Sequence, residues 1–328
     1  MNKKKIQLNP KQTVLVIGGK GFIGKHVVEQ IENYGAYALT GSRCLTKQRD
    51  FDCRKITLHK LQTEEQYNLM LEGIDVVINT VGILRERVGE SYDAIHHQAV
   101  KKLAEQCGKR NIRYVHISAL GIFNPVKSQF STSKVKGEAA IQKTNADWYI
   151  IRPSLVDGVT GYGAKWFRKV AKWPIHIAPA NALGKLAPID VSDLGEIIAK
   201  IALMTEVPKH NNERIFEIGG KEFAGIFEYL DALSPKPRKF KFRVPTWIAR
   251  TAAHLFDLLH LTPYSFGHYE ILQFDNCPKN NHASEILGRE PNRIGYIASI
   301  NKKRIKQYRE DTNLQPNLHN NVAITHEQ

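Results

Sequence analysis

The chain has 328 residues, enough for one large domain or a core domain with a smaller lobe, and its 42% hydrophobic and 24% charged residues suit a folded protein. A formal net charge of +15 favours an anionic partner: a phosphorylated ligand, an anionic membrane surface or nucleic acid. Four scattered cysteines without metal-ligand spacing read as reduced thiols and exclude a disulfide framework; no run approaches the roughly 20 apolar residues of a membrane span.

From residue 12 onward, strand-like and helix-like segments alternate. Thr13–Ile17 is a β-branched run that ends at glycine. Residues 25–34 read as a helix with Val27, Val28 and Ile31 on one side, and 37–40 as the next strand. Residues 55–58 are a further short strand and 75–79 a fourth. Residues 93–109 are helical through Ile95, Ala99, Leu103 and Ala104; the adjacent His96 and His97 there point in different directions and read as structural. Residues 114–118 form a fifth strand, 133–143 a helix and 148–151 a sixth strand. Buried runs alternating with helices predict an α/β fold, a Rossmann-type doubly wound parallel sheet over 12–181.

Beyond residue 181 the pattern loosens. Residues 193–204 form a helix, 215–218 a strand closed by Gly219 and Gly220, and 234–243 a proline-rich basic stretch. Residues 246–260 form an apolar helix with Ile248, Ala252, Leu255 and Leu259 on one face. The expectation is a smaller C-terminal α/β lobe over 182–306, able to lend strands to the main sheet. A basic arm (1–11) without a secretory apolar region precedes the domain, and a polar tail (307–328) follows the lobe.

The first strand runs into Gly18-Gly19-Lys20-Gly21-Phe22-Ile23-Gly24 and then a helix. In this G-x-x-G-x-x-G spacing the first glycine allows the turn, the second admits a pyrophosphate and the third lets helix and strand pack closely. The helix N-terminus offers free N–H groups and the positive end of its dipole to the phosphates. At the end of the second strand an NAD site wants an acid for the ribose 2′-hydroxyl, whereas this chain has Ser42-Arg43 and no acid. A basic residue suits a 2′-phosphate, and Lys20 adds a second charge, so NADP(H) is favoured over NAD(H).

These motifs resemble the short-chain dehydrogenase/reductase superfamily in its atypical and extended branches. Asn79-Thr80-Val81-Gly82 stands where that family has an Asn-Ala-Ala-Gly-like turn beside the cofactor, Ser118-Ala119-Leu120-Gly121 where it has a serine-rich turn, and Arg152-Pro153-Ser154 where it has Arg-Pro-x beside the nicotinamide. Within it, Ser133-Lys134-x-x-Gly137-Glu138 and residues 269–276 look like the group of the NADPH-binding accessory subunit of respiratory complex I and its bacterial relatives. The resemblance implies cofactor contacts at Thr80, Val81, Gly82, Ser118, Lys134 and Pro153.

Active members of the family use a Tyr-x-x-x-Lys pair, in which lysine lowers the tyrosine pKa and holds the ribose. Here the lysine is Lys134 and the tyrosine position is Phe130, which has no acidic proton. Losing a general acid typically costs about 10²–10⁴ in rate. The family's partner hydroxyl aligns with Leu120. Tyr162 and Asp157 are the nearest substitutes, without motif support. Three functions compete: a cofactor-holding structural or assembly protein of a quinone-related membrane complex, an active NADPH-dependent reductase or isomerase, and, on net charge alone, an RNA-binding or regulatory sensor.

Lys165, Arg168, Lys169 and Lys172 fall on one helical face, with Trp166, Val170 and Trp173 opposite. Residues 236–243 interleave lysine and arginine with Phe240 and Phe242. Both patches fit a solvated surface or docking to an anionic membrane or a partner; single-stranded nucleic acid is the least supported occupant. The expected location is the bacterial cytoplasm or mitochondrial matrix, peripheral to the inner membrane in the docking case.

Overall fold

A computed structural model describes residues 7–43, 53–125, 128–205, 214–234, 236, 240–259 and 270–294. Strands β1 (Thr13–Ile17), β2 (Tyr37–Ser42), β3 (Cys53–Lys55), β4 (Val76–Asn79), β5 (Arg113–Ile117), β6 (Asp147–Pro153) and β10 (Ile215–Ile218) form one parallel sheet. Its order is β10-β6-β5-β4-β1-β2-β3. The chain winds outward from β1 to β3, then restarts on the other side of β1 with β4. This reversal leaves a crevice at the C-terminal ends of β1 and β4, where doubly wound sheets bind ligands.

Strand side chains alternate between the two faces, and each face has its own core. Val14 and Val16 of β1, Val76 and Ile78 of β4, and Val115 and Ile117 of β5 pack with α1 (Gly24–Asn33), α6 (Val191–Leu203) and α9 (Ala283–Leu287). Leu15, Ile17, Val77, Tyr114 and Ile150 face the other way, against α2 (Glu64–Leu71), α3 (Ala99–Lys109) and α4 (Gln129–Gln142). Thr63 and Gln66 close a capping box that starts α2, and Asp190 accepts from the Ser192 N–H at 2.9 Å to start α6.

The remaining elements are α5 (Tyr162–Val170), α7 (Ile226–Leu233), α8 (Thr246–Leu259) and two-stranded parallel pairs. β7 (Val156–Asp157) pairs with β9 (Ile189–Asp190), and β8 (Ile175–Pro179) with β11 (Phe240–Val244). Among the described residues no helix is long and apolar enough to cross a membrane.

Four local expectations need correction. The strand placed at 55–58 lies at Cys53–Lys55, and Leu58–Lys60 is a 3₁₀ turn. The helix placed at 133–143 begins at Gln129, because Ser128 caps it by accepting from the Ser131 N–H. The helix placed at 93–109 opens with a π turn over Ala94–Gln98. Among the described side chains of α8, Ala249 and Ala253 are buried, whereas the expected apolar face carries exposed Ile248 and Leu255. Residue 269, the arm up to residue 6 and the tail from 307 lie outside the described residues.

Candidate functional site

The glycine loop sits at the crevice. Gly18 takes a left-handed φ of +83°, and its N–H donates to Gly41 O at 2.8 Å, tying the loop to the end of β2. Gly21 N–H donates back to Gly18 O at 2.7 Å. A Cβ on Gly24 would lie 2.2 Å from Gly18 O, so only glycine lets α1 start this close to β1. A Cβ on Gly18 would lie 2.7 Å from Thr80 Oγ1, which itself donates to Ile17 O at 2.9 Å. Among the described residues the N–H groups of Phe22 and Ile23 meet no acceptor. The turn thus presents bare backbone donors at a helix start, which fits a pyrophosphate.

Gly19, Gly21 and Ile23 contribute backbone to this turn, and Lys20 is exposed on it. The Phe22 ring points elsewhere: a Cβ on Gly158 or Gly161 would come within 2.8 Å of it. Lys25 Nζ also reaches across to Thr160 Oγ1 at 2.7 Å. Phe22 therefore leaves its N–H on the turn, while its ring wedges the loop against the 158–161 turn.

Ser42 and Arg43 follow Gly41 at the end of β2. The sequence shows no acid there, yet the fold supplies one: Arg43 is ion-paired with Glu90. Glu90 closes a tight turn in which Arg87 and Glu90 exchange backbone hydrogen bonds of 3.0 and 2.8 Å.

Thr80, Val81 and Gly82 leave the end of β4. Val81 N–H donates to Asn79 Oδ1 at 3.0 Å, and Asn79 Nδ2 donates to Tyr114 OH at 3.2 Å. Ile83 N–H donates to His96 Nε2 at 3.0 Å, and His96 Nδ1 lies 3.1 Å from Ser133 Oγ. Because Ser133 Oγ donates to Phe130 O at 2.9 Å, His96 Nδ1 carries the proton. This neutral histidine staples the turn after β4 onto α4. Burial, with Lys134 and His116 nearby, pushes its pKa down to about 2. Gly137 permits the approach, since a Cβ there would lie 2.0 Å from His96 O.

Lys134 is buried in α4. Its ammonium has no hydrogen-bond partner among the described residues and sits 5.7 Å from the centre of the Phe130 ring. Burial pushes its pKa down to about 8, with Glu138 acting in the opposite direction. Glu138 is engaged by Arg152, whose Nη2 donates to Oε2 at 2.5 Å. Phe130 packs edge-on against Tyr92 and His96, at 5.8 and 5.5 Å between ring centres. Ser118 follows β5 with a buried hydroxyl that lacks a hydrogen-bond partner among the described residues, and Pro153 ends β6. The sheet's C-terminal edge thus carries Thr80, Val81, Gly82, Ser118 and Pro153, and His96 and Ser133 link the β4 end to the helix holding Lys134.

Asp157 is buried and gripped by both Arg168 nitrogens, with the Nη2 contact at 2.9 Å, while Tyr162 is exposed at the start of α5. The same pair corrects the basic stripe: Arg168 turns inward, and Lys172 lies beyond the end of α5. His96, Glu90, Tyr92 and Asn276 belong to the neighbourhood but carry no motif. Asn276 accepts from Ser154 Oγ at 2.5 Å through its backbone and keeps a buried, unpartnered Oδ1. Among the described residues no cluster of metal ligands occurs.

Comparison with known proteins agrees with this architecture. A family model described as NAD(P)H-binding matches residues 18–164. The mitochondrial NADH dehydrogenase (ubiquinone) 1 alpha subcomplex subunit 9 of Dictyostelium discoideum is 25% identical over 228 residues, 66% of this chain and 62% of that protein. Ceramide reductase of Caulobacter vibrioides is 24% identical over 152 residues, 44% of this chain and 46% of that protein. The chain thus spans less than two thirds of the length of either relative. Among solved structures, UDP-glucuronic acid 4-epimerase of Bacillus cereus, with UDP-glucuronic acid and NAD, shares the fold at a TM-score of 0.62. It is 15% identical, covering 90% of this chain and 99% of that one. Over residues 18–164 the chain is thus similar to NAD(P)H-binding proteins, and it shares the doubly wound fold of the UDP-glucuronic acid epimerase.

Proposed function

We propose that this protein holds NADP(H) as a resident ligand with little or no hydride transfer, as a structural or assembly component of a respiratory or quinone-related membrane complex. The observation that carries this reading is Phe130. The family's proton donor would stand there, and the ring is instead packed on Tyr92 and His96 with Lys134 above it.

The turn at Gly18, Gly19, Gly21, Phe22, Ile23 and Gly24 holds the pyrophosphate through backbone N–H groups. Arg43 and Lys20 meet a 2′-phosphate, with Ser42 beside them. Lys134 holds the nicotinamide ribose, and Thr80, Val81, Gly82, Ser118 and Pro153 line the rest of the cleft. A bound nicotinamide supplies a hydride; without a proton donor at position 130, the chain does not complete a carbonyl reduction. Two relatives whose names place them in NADH dehydrogenase support the complex.

For the membrane, the supporting feature is the outer face of β8 and β11. Ile175 lies opposite Phe240, and Ile177 opposite Phe242, and all four are exposed. Exposed Trp173 and Trp247 belong to the adjoining segments, as do exposed Lys169 and Lys172. An apolar patch with basic neighbours suits an anionic bilayer surface.

A second reading, an active NADPH-dependent reductase or isomerase, draws on Lys134, with its pKa near 8, and the unpartnered Ser118 hydroxyl. Purifying the native protein from membrane and soluble fractions tests the first reading: NADP(H) and subunits of a membrane complex are expected to co-purify from the membrane fraction. A nucleotide-free protein found only in the soluble fraction contradicts it.

A further inference from the structure

We propose that Glu90 sets cofactor discrimination at the adenosine end of the cleft, by competing with the 2′-phosphate for Arg43. The inference rests on the reading of Arg43 as the 2′-phosphate ligand and deepens it.

The topology carries the argument. Arg43 follows β2, and Glu90 lies in the segment that leaves β4. In the sheet, β1 and its glycine loop stand between those two strands. The Arg43–Glu90 ion pair therefore bridges two strand ends across the loop that cradles the dinucleotide. Glu90 is the more enclosed partner, with 17% of its side chain exposed against 59% for Arg43. It is presented by a turn closed by the Arg87–Glu90 backbone pair, with Gly89 in a left-handed conformation and Val88 fully exposed at the tip. Glu86 fastens the far end of the turn by accepting from Tyr92 N–H at 2.7 Å.

A 2′-phosphate arriving at Arg43 meets a guanidinium that already serves a carboxylate, and the two anions repel. Phosphate either displaces Glu90 or shares Arg43 with it, and both outcomes weaken NADPH. With Arg43 largely exposed, the pair is weakly held and displacement is feasible. NADH has no 2′-phosphate and leaves the pair intact. Glu90 thus narrows the NADPH preference that Arg43 creates.

The test is to titrate the full-length protein with NADPH and with NADH, for the natural chain, Glu90→Gln, Arg43→Ala and the double variant. Glu90→Gln is expected to tighten NADPH about three- to ten-fold and to move NADH by less than about two-fold. Arg43→Ala is expected to weaken NADPH selectively and, in the double variant, to abolish the gain from Glu90→Gln. Unchanged or weaker NADPH binding in Glu90→Gln overturns the inference, and selective loss of NADH would make Glu90 a ribose ligand instead. A gain that persists without Arg43 also overturns it. Equal loss of both nucleotides in Arg43→Ala defeats the underlying reading of Arg43 and is separately visible. Glu90→Lys, with the opposite charge at the same exposed turn, is expected to extend the NADPH gain.

Discussion

The Lys134 ammonium and the Phe130 ring face each other at 5.7 Å between nitrogen and ring centre. In an active relative that ring would carry a hydroxyl, and the lysine would lower its pKa. Here the lysine keeps its burial and its charge-holding neighbour Glu138, while the ring is locked by Tyr92 and His96. On the proposed reading, the site retains what holds a cofactor and lacks the proton donor at position 130.

The glycine cradle is the most sensitive point. Gly24→Ala places a methyl 2.2 Å from Gly18 O, which must force α1 away from β1. Overpacking of this kind costs about 1–3 kcal/mol. The variant is expected to melt several degrees lower and to lose NADPH binding, read by thermal unfolding with and without nucleotide.

Arg43→Asp puts a negative charge where a 2′-phosphate would bind. NADPH affinity is expected to fall by at least about ten-fold while NADH changes little. Calorimetric titration with both nucleotides checks this, and equal losses would show that Arg43 makes no 2′-phosphate contact.

Two buried histidines predict a pH dependence of stability. Burial lowers His96 to about 2 and His116 to about 3, from an ordinary value near 6.5. Between those values the unfolded chain binds protons that the folded chain refuses, so stability falls as pH drops below about 6.5. Near pH 5 the slope is about 1.4 kcal/mol per pH unit for each histidine. Denaturant unfolding from pH 7.5 to 5 measures it, and a flat profile would contradict neutral, buried rings.

The β8–β11 face is expected to govern membrane attachment. Phe240→Ser with Phe242→Ser removes two exposed rings without touching a core. Binding to vesicles rich in phosphatidylglycerol should weaken about ten-fold or more in co-sedimentation, with less change in thermal stability. Unaltered binding would place the contact elsewhere.

The sheet was legible because its strands are buried on both faces and read as apolar runs, as in Thr13–Ile17 and Val76–Asn79. Strand β3 was harder to place: three residues carry no period. Start signals misled at α4, where Ser128 caps a turn of Gln129, Phe130, Ser131 and Thr132 with a single apolar residue. A stripe of cations cannot reveal that Arg168 answers Asp157 eleven residues earlier. The glycine loop announced itself because its spacing is a steric requirement within one short segment. Glu90 did not, because its partner comes from a different strand end and nothing local marks the pairing. His96 read as structural, and it is buried; its role in joining the 79–83 turn to α4 exists only in three dimensions.

The central claim is that the bound nucleotide is kept rather than consumed. Its most direct test is single-turnover absorbance at 340 nm of the NADPH-loaded protein mixed with quinones, ketones and nucleotide sugars, alongside Phe130→Tyr. The account predicts stoichiometric NADPH whose absorbance persists in the natural protein. Steady oxidation of NADPH by the natural protein would contradict it.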